Sequence, residues 1–269
     1  MTAQKKMNQF QVQAKIIHQE MIGPLIFRMT LRAPEIAACA RPGQFVMLRV
    51  AEGHDPLLRR PFSIHQATDD GLVQILYKVL GRGTAILADM APGKKLSLVG
   101  PLGRGFDQSG TESFCLVGGG MGIAPLYFLA SDMLRRVRIP RLVVLLGART
   151  AAEIVHLARD FSDLGLEPHV ATDDGTMGHH GTVVGLLPAH LDPGQQGSIC
   201  TCGPHPMMKA VAALCRQHSW KCQVSLETMM ACGISACLGC AVPAADLNGP
   251  YLHVCKDGPV FEAEEVAWL

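Results

Sequence analysis

Three cysteines near the C-terminus are spaced with four residues between Cys232 and Cys237 and two between Cys237 and Cys240, and a fourth, Cys255, follows at a distance. No other feature constrains the chain as strongly, because three thiolates from one short loop and one from a later segment must converge on a single inorganic centre. This is the plant-type spacing for a 2Fe–2S cluster, four thiolates around two irons. Gly233 and Gly239 lie between the ligands, where a backbone without Cβ can turn its amides toward the cluster sulfurs and tune their potential. A four-cysteine zinc site also needs four thiolates, but such sites usually draw on two short Cys pairs. The cluster fits the spacing better.

The remaining cysteines need a different explanation. Cys39, Cys115, Cys200, Cys215 and Cys222 fall in apolar stretches and read as small hydrophobes. Lys and Arg total 24 against 23 Asp and Glu, and no basic face stands out, so a nucleic-acid partner is not expected. The start, MTAQKKMNQFQVQAKII, has no apolar run of signal-peptide length, which points to a reducing cytoplasm where clustered cysteines do metal or redox work. The uncharged run from Ser113 to Ser131 reaches membrane-span length but holds Gly118, Gly119, Gly120, Gly122 and Pro125. A strand, turn and helix explain it better than a span, so no membrane partner is expected either.

Two grammars divide the chain. Up to about residue 105, short alternating runs (Phe10–Ile17, Leu25–Leu31, Gln44–Val50, Leu72–Val79) are separated by Gly, Pro and Asp turns. They predict an antiparallel barrel or sandwich, with a short helix near Ala85–Met90 and a boundary at Gly100–Gly103. From Ser113, buried strands at Phe114–Gly118, Arg141–Gly147, His169–Thr172 and Gly197–Gly203 alternate with helices at Pro125–Val137, Ala151–Leu164 and Pro206–Gln217. That alternation predicts a parallel sheet covered on both faces. The expected fold class is a multidomain β plus α/β chain: a β-barrel over 1–105, a parallel-sheet nucleotide-binding domain over 106–222 and a cluster-binding segment over 223–269.

Arg59-Arg60-Pro61-Phe62-Ser63-Ile64 reads as the end of an early β segment. An Arg beside a Ser hydroxyl can hold a diphosphate, and Phe62 or its neighbours can pack on an aromatic ring. Leu76-Tyr77-Lys78 supplies a second strand end, and Gly83-Thr84 a glycine turn opening onto a helix, a favourable place for an anion. By itself the Arg pair is equally a solvated turn. Val117-Gly118-Gly119-Gly120-Met121-Gly122-Ile123 follows a strand and opens a helix, as a pyrophosphate site would, although it lacks the Gly-x-Gly-x-x-Gly form and an acidic residue about 20 positions on. A tight turn with no ligand stays open. Cys202-Gly203-Pro204 begins a second such turn, where a thiol can line a nicotinamide pocket. Arg149 is either a 2′-phosphate contact or a surface charge.

In this order, these motifs resemble the ferredoxin–NADP reductase superfamily. The tail, Met230-Ala-Cys232-Gly-Ile-Ser-Ala-Cys237-Leu-Gly-Cys240 followed by Val254-Cys255-Lys-Asp-Gly-Pro-Val-Phe261, resembles the electron-transfer subunits of class 1B dihydroorotate dehydrogenases. The resemblance implies that Arg60, Pro61, Phe62, Ser63, Leu76, Tyr77, Lys78, Gly83 and Thr84 hold FAD. It implies that Cys232, Cys237, Cys240 and Cys255 hold the 2Fe–2S cluster, and that Gly118, Gly119, Gly120, Met121, Gly122, Ile123, Cys202, Gly203 and Pro204 face NAD. Its implied partner is an FMN-containing dihydroorotate dehydrogenase catalytic subunit in a heterotetramer with two of each chain. Electrons would pass from dihydroorotate through cluster and FAD to NAD+ in pyrimidine biosynthesis, with no general acid or base in this chain. Two alternatives remain: a reductase subunit serving sulfite reductase, hydrogenase or ferredoxin, and a non-catalytic binding module. Ser235 stands where the family usually has Gly. If that position needs a positive φ, Ser costs about 1 kcal/mol or more, or its hydroxyl reaches a cluster sulfur instead.

Overall fold

The computed structural model describes residues 8–109, 113–135, 141–190 and 197–268. Strand β1 (Phe10–Gly23) exposes Gln11, Gln13 and Lys15 while burying Ala14 and Ile16, the alternation of a sheet with one wet face. It turns directly into β2 (Ile26–Arg32), after which the short helix α1 (Pro34–Ala37) tucks Ile36 inward. Strands β3 (Phe45–Leu48), β4 (Arg60–Ala67) and β5 (Leu72–Lys78), helix α2 (Arg82–Ala88) and strand β6 (Lys95–Leu102) complete this half. The six strands close a barrel in the order β1-β2-β5-β4-β3-β6, which leaves no unpaired edge. Ile16, Met29, Leu31, Val46, Leu48, Ile64, Ile75 and Leu98 fill its interior.

One local reading is corrected. The Arg59–Ile64 motif begins a strand rather than ending one: β4 starts at Arg60 and pairs Pro61 with Met47 of β3, and a proline is tolerated at a strand start. Gly100 lies inside β6, which ends at Leu102 within the Gly100–Gly103 stretch. A Cβ there would stand 2.7 Å from Val46 Cγ1, so the glycine marks close backbone approach within the barrel wall.

The second half is a seven-stranded sheet. Its elements are β7 (Ser113–Gly119), α3 (Ile123–Leu134), β8 (Arg141–Ala148), α4 (Ala151–Asp163), β9 (Pro168–Thr172), the two-residue β10 (His179–His180), α5 (Leu187–His190), β11 (Ser198–Cys202), α6 (His205–His218) and β12 (Lys221–Ser225). Strand order is β10-β9-β8-β7-β11-β12, all parallel, followed by an antiparallel strand from the tail. Phe114 and Leu116 of β7 pack with α3 and α4, while Cys115 and Val117 pack with α6 on the other face. This two-sided burial accounts for an uninterrupted apolar run. The residues expected to continue α3 beyond Arg135 lie outside the described residues.

β12 runs to Ser225, three residues past the expected junction at 222. The tail adds the hairpin β13 (Ala241–Val242) with β14 (Leu252–His253), then β15 (Val260–Glu262), which pairs antiparallel with β12. Val254 and Cys255 share one core with Phe45, Met47 and Leu102 of the barrel and with Val224 of the sheet. The tail therefore bridges both halves. A second junction is polar: Arg28 of β2 pairs with Asp160 of α4, and Lys78 Nζ lies 2.7 Å from Glu153 Oε1. Buried His65 stacks on Tyr127 at 4.4 Å. Burial, and then the Arg28 charge, push its pKa down to about 3, so it is neutral in this contact.

Candidate cofactor sites

Where barrel meets sheet, a cleft of about 260 Å³ opens between β4, β5, the turn after β7 and the segment after β12. Pro61, Phe62, Ser63, Leu76, Tyr77, Lys78, Thr84 and Met121 line it, so the structure gathers most of the residues expected around FAD. The Tyr77 ring stands 5.8 Å from Phe62, and its hydroxyl donates to Gln19 Oε1 at 3.0 Å. The phenol is thus tied into the barrel wall, and burial holds its pKa above the usual range. Arg60 and Gly83 do not line the cleft, but they meet beside it: a Cβ on Gly83 would stand 2.8 Å from Arg60 Nε. The Thr84 hydroxyl accepts from the amides of Leu80 and Gly81 and donates to the Gly81 carbonyl, capping α2. Among the described residues Arg60 makes no ion pair; its guanidinium contacts only the carbonyls of Leu58 and Arg59. An unneutralised guanidinium at the end of an apolar, ring-walled cleft fits a cofactor with a diphosphate and a flat ring.

Sequence reasoning missed Glu227. It follows the last parallel strand and lines the cleft, where burial raises its pKa. The signal was its position just beyond the carboxyl end of a parallel strand, where α/β sheets bind ligands.

The turn after β7 lies against the one after β11. A Cβ on Gly122 would fall 2.4 Å from the Cys202 carbonyl carbon and oxygen, so this glycine exists to let the two turns touch. Gly120, at φ +53°, has no neighbour within 4 Å of its missing Cβ and offers open backbone to a ligand. Gly118, Gly119, Met121 and Ile123 flank it, and Gly203 and Pro204 close the opposing turn. Cys202 is fully buried, and burial keeps its thiol protonated; it does not line the cleft.

The four tail cysteines converge. The amides of Ile234, Ala236 and Cys237 donate to Cys232 Sγ at 3.3–3.4 Å. Ser235 N donates to Cys255 Sγ (3.2 Å), Gly239 N to Cys237 Sγ (3.5 Å) and Cys255 N to Cys240 Sγ (3.4 Å). Desolvation opposes the Cys232 thiolate, but its amide hydrogen bonds outweigh that and bring its pKa to about 7. Cys255 is pushed up to about 12 by burial and by Cys240. The thiols fall in two neighbouring pairs whose members influence each other, Cys232 with Cys237 and Cys240 with Cys255. Among the described residues, no three His, Cys, Asp or Glu side chains gather as a single-ion site. Two thiol pairs with amides aimed at sulfur suit two irons rather than one zinc. Ser235 has φ +62° and Leu238 φ +59°, so the position questioned from the sequence does require a left-handed backbone.

Barrel, parallel sheet and thiolate loop together define an oxidoreductase of the flavin- and nicotinamide-binding reductase class carrying an iron–sulfur module. Family models agree: residues 13–106 match the oxidoreductase FAD-binding domain, 116–213 the oxidoreductase NAD-binding domain, and 227–267 the iron-sulfur cluster binding domain of dihydroorotate dehydrogenase B. The electron transfer subunit of dihydroorotate dehydrogenase B (NAD(+)) from Desulforamulus reducens is 39% identical over 259 residues, 95% of this chain and 97% of that one. Its counterpart from Geobacillus thermodenitrificans is 38% identical, covering 93% and 96%. A solved NADH-dependent reduced ferredoxin-NADP oxidoreductase superposes with TM-score 0.84 at 29% identity over 96% of this chain and 90% of that one. The ferredoxin reductase of carbazole 1,9a-dioxygenase shares the fold, with TM-score 0.67 at 23% identity over 80% and 68%. The chain belongs to the family of dihydroorotate dehydrogenase B electron transfer subunits.

Proposed function

We propose that this chain passes electrons from dihydroorotate oxidation, carried out on an FMN-containing catalytic subunit, to NAD+, with two copies of each subunit assembling in the cytoplasm. When bound, FAD links the one-electron chemistry of the cluster to the two-electron hydride chemistry of nicotinamide. The chain's own residues hold these groups. Arg60 and the α2 turn take the diphosphate, Phe62, Leu76 and Tyr77 wall the ring, Gly120 and its neighbours admit the nucleotide, and Cys232, Cys237, Cys240 and Cys255 ligate iron. We assign the same residues that the sequence nominated, with Glu227 added to the cleft and the cluster segment beginning after Ser225.

One observation carries the reading: the cluster loop sits directly on the flavin barrel. A Cβ on Gly233 would lie 2.4 Å from Met47 Cγ, so the thiolate loop is held against barrel strand β3, and Cys237 is left exposed. Ten free cysteines suit a reducing milieu, which supports the cytoplasmic assignment. Among the described residues no helix is long and apolar enough to cross a membrane. The test is co-expression with a dihydroorotate dehydrogenase catalytic subunit: a complex with dihydroorotate:NAD+ activity is expected. A holoprotein that ignores this subunit yet reduces a ferredoxin with NAD(P)H would move the assignment to the second reading, a reductase of another partner, which the likeness to a ferredoxin-NADP oxidoreductase favours.

A further inference from the structure

Away from the flavin cleft, the outer face of the barrel carries a groove of about 580 Å³ lined by Arg49, Arg59, Lys94 and Lys95. Arg59 and Arg60 are neighbours that part company. Arg60 turns toward Gly83 beside the flavin cleft, whereas Arg59 crosses to β6, donating to the Ser97 carbonyl at 2.7 Å and the Ser97 hydroxyl at 2.9 Å. Arg49 is held by the carbonyls of Ala51 and Gly53, each at 3.1 Å. Neutral acceptors thus fix both guanidiniums. Among the described residues none of the four cations makes an ion pair, and Glu52 is the one acid in the lining. Burial and the Arg49 charge both lower the Arg59 pKa, so the two guanidiniums repel each other with no carboxylate between them.

One residue, Met47, links the groove to the cluster loop. The Met47 carbonyl accepts a 3.4 Å hydrogen bond from Arg59, and the Met47 side chain meets Gly233 of that loop. No aromatic ring lines the groove, so nothing in it would stack a nucleotide base. Several cations spread along an open channel suit a chain with several carboxylates. Resting on the electron-transfer reading above, we propose that this groove docks an acidic segment of the catalytic partner, so that carboxylates entering between Arg49, Arg59 and the two lysines seat that subunit beside the cluster loop.

The test uses holoprotein loaded with FAD and cluster, comparing wild type with the exposed-turn variant Lys94→Glu/Lys95→Glu and with Arg49→Glu. Association with the catalytic subunit is followed by stopped flow across ionic strength. The variants should associate about tenfold or more slowly at low salt and lose most of the wild-type salt dependence. Cluster absorption and NADH-driven reduction of a dye should match wild type, which shows the fold intact. Equal rates and salt slopes in wild type and variants would overturn the groove alone. Wild type that fails to bind the catalytic subunit at any ionic strength would overturn the electron-transfer reading, and the groove with it. Stabilisation of wild type, but not of the variants, by inorganic phosphate at constant ionic strength would make this a small-anion site and overturn the docking role.

Discussion

The turn after β7 and the cluster loop both present backbone to an anionic centre and both are rich in glycine, yet the glycines answer different demands. In the turn, Gly122 is forced by contact, since its Cβ position lies 2.4 Å from the Cys202 carbonyl, and Gly120 alone faces open space. In the cluster loop handedness is added to contact, for a Cβ on Gly233 would also lie 2.4 Å from Met47 Cγ. Gly233 at φ +70° shares the left-handed region with Ser235 and Leu238, two residues that carry a Cβ. The amides of Ser235 and of Gly239, the residue after Leu238, donate to the Cys255 and Cys237 sulfurs. A glycine that makes room and a glycine that permits a turn look alike in sequence. Mutation separates them.

The largest separation comes from thiols. Cys240→Ser or Cys255→Ser should reduce cluster absorption and partner-linked electron transfer to background while leaving dye reduction by NADH, because both sulfurs belong to the proposed ligand set. Cys202→Ala, in the turn that faces β7, should keep the cluster and cost about 1 kcal/mol in urea unfolding, the range for losing a small buried group. A cluster lost from Cys202→Ala would break the comparison.

Next come the turn glycines. Gly122→Ala sets a methyl group against immovable backbone and should cost about 3 kcal/mol, the upper part of the overpacking range. Gly120→Ala meets no atom within 4 Å but keeps φ +53°, so about 1 kcal/mol is expected, with a raised KM for NADH. Equal costs would show that contact and handedness are not distinct here.

A smaller effect tests the polar joint between barrel and sheet, on the sheet side that carries the β7 turn. Glu153 accepts from both Lys78 and Arg149, and its pKa is lowered to about 2, the Arg149 hydrogen bond leading, despite desolvation in the opposite direction. Because the folded pKa lies below the unfolded one, the pair stabilises the protein at and above about pH 4.5. That contribution is lost as pH falls from there toward 2. Glu153→Gln should lower stability at neutral pH by about 1 kcal/mol and flatten the acid limb in this window. An unchanged limb would remove Glu153 from the joint.

What could be read in advance follows from distance along the chain. The gathering of the four tail cysteines was legible because three of them sit in one loop, and the barrel strands because Gln11, Gln13 and Lys15 alternate with buried neighbours. Glu227 was not, since its role depends on a cleft assembled from β4, β5 and the turn after β7. The Met47–Gly233 contact was equally invisible, as it joins residues far apart in sequence. The divergence of Arg59 and Arg60 shows the limit most clearly. Two identical side chains in succession serve different places, Arg60 beside Gly83 and Arg59 on Ser97 of β6, and the start of β4 at Arg60 separates them.

The smallest effect is the most discriminating. Ser235 pays a left-handed cost of about 1 kcal/mol, which Ser235→Gly removes, while the added freedom of glycine in the unfolded chain takes back part of it. The net gain should be about 0.5 kcal/mol, or about 1–2 °C in Tm for a chain of this size. The contact of this residue with sulfur runs through its amide to Cys255 Sγ, which the substitution keeps. The cluster's reduction potential should therefore stay at its wild-type value in both Ser235→Gly and Ser235→Ala, measured by redox titration of the visible spectrum. A potential that falls in both variants would assign the tuning to the hydroxyl and make Ser235 a residue retained for its side chain. A higher Tm with an unchanged potential would show that the loop tolerates serine because its sulfur hydrogen bonds, and not its glycines alone, enforce the turn.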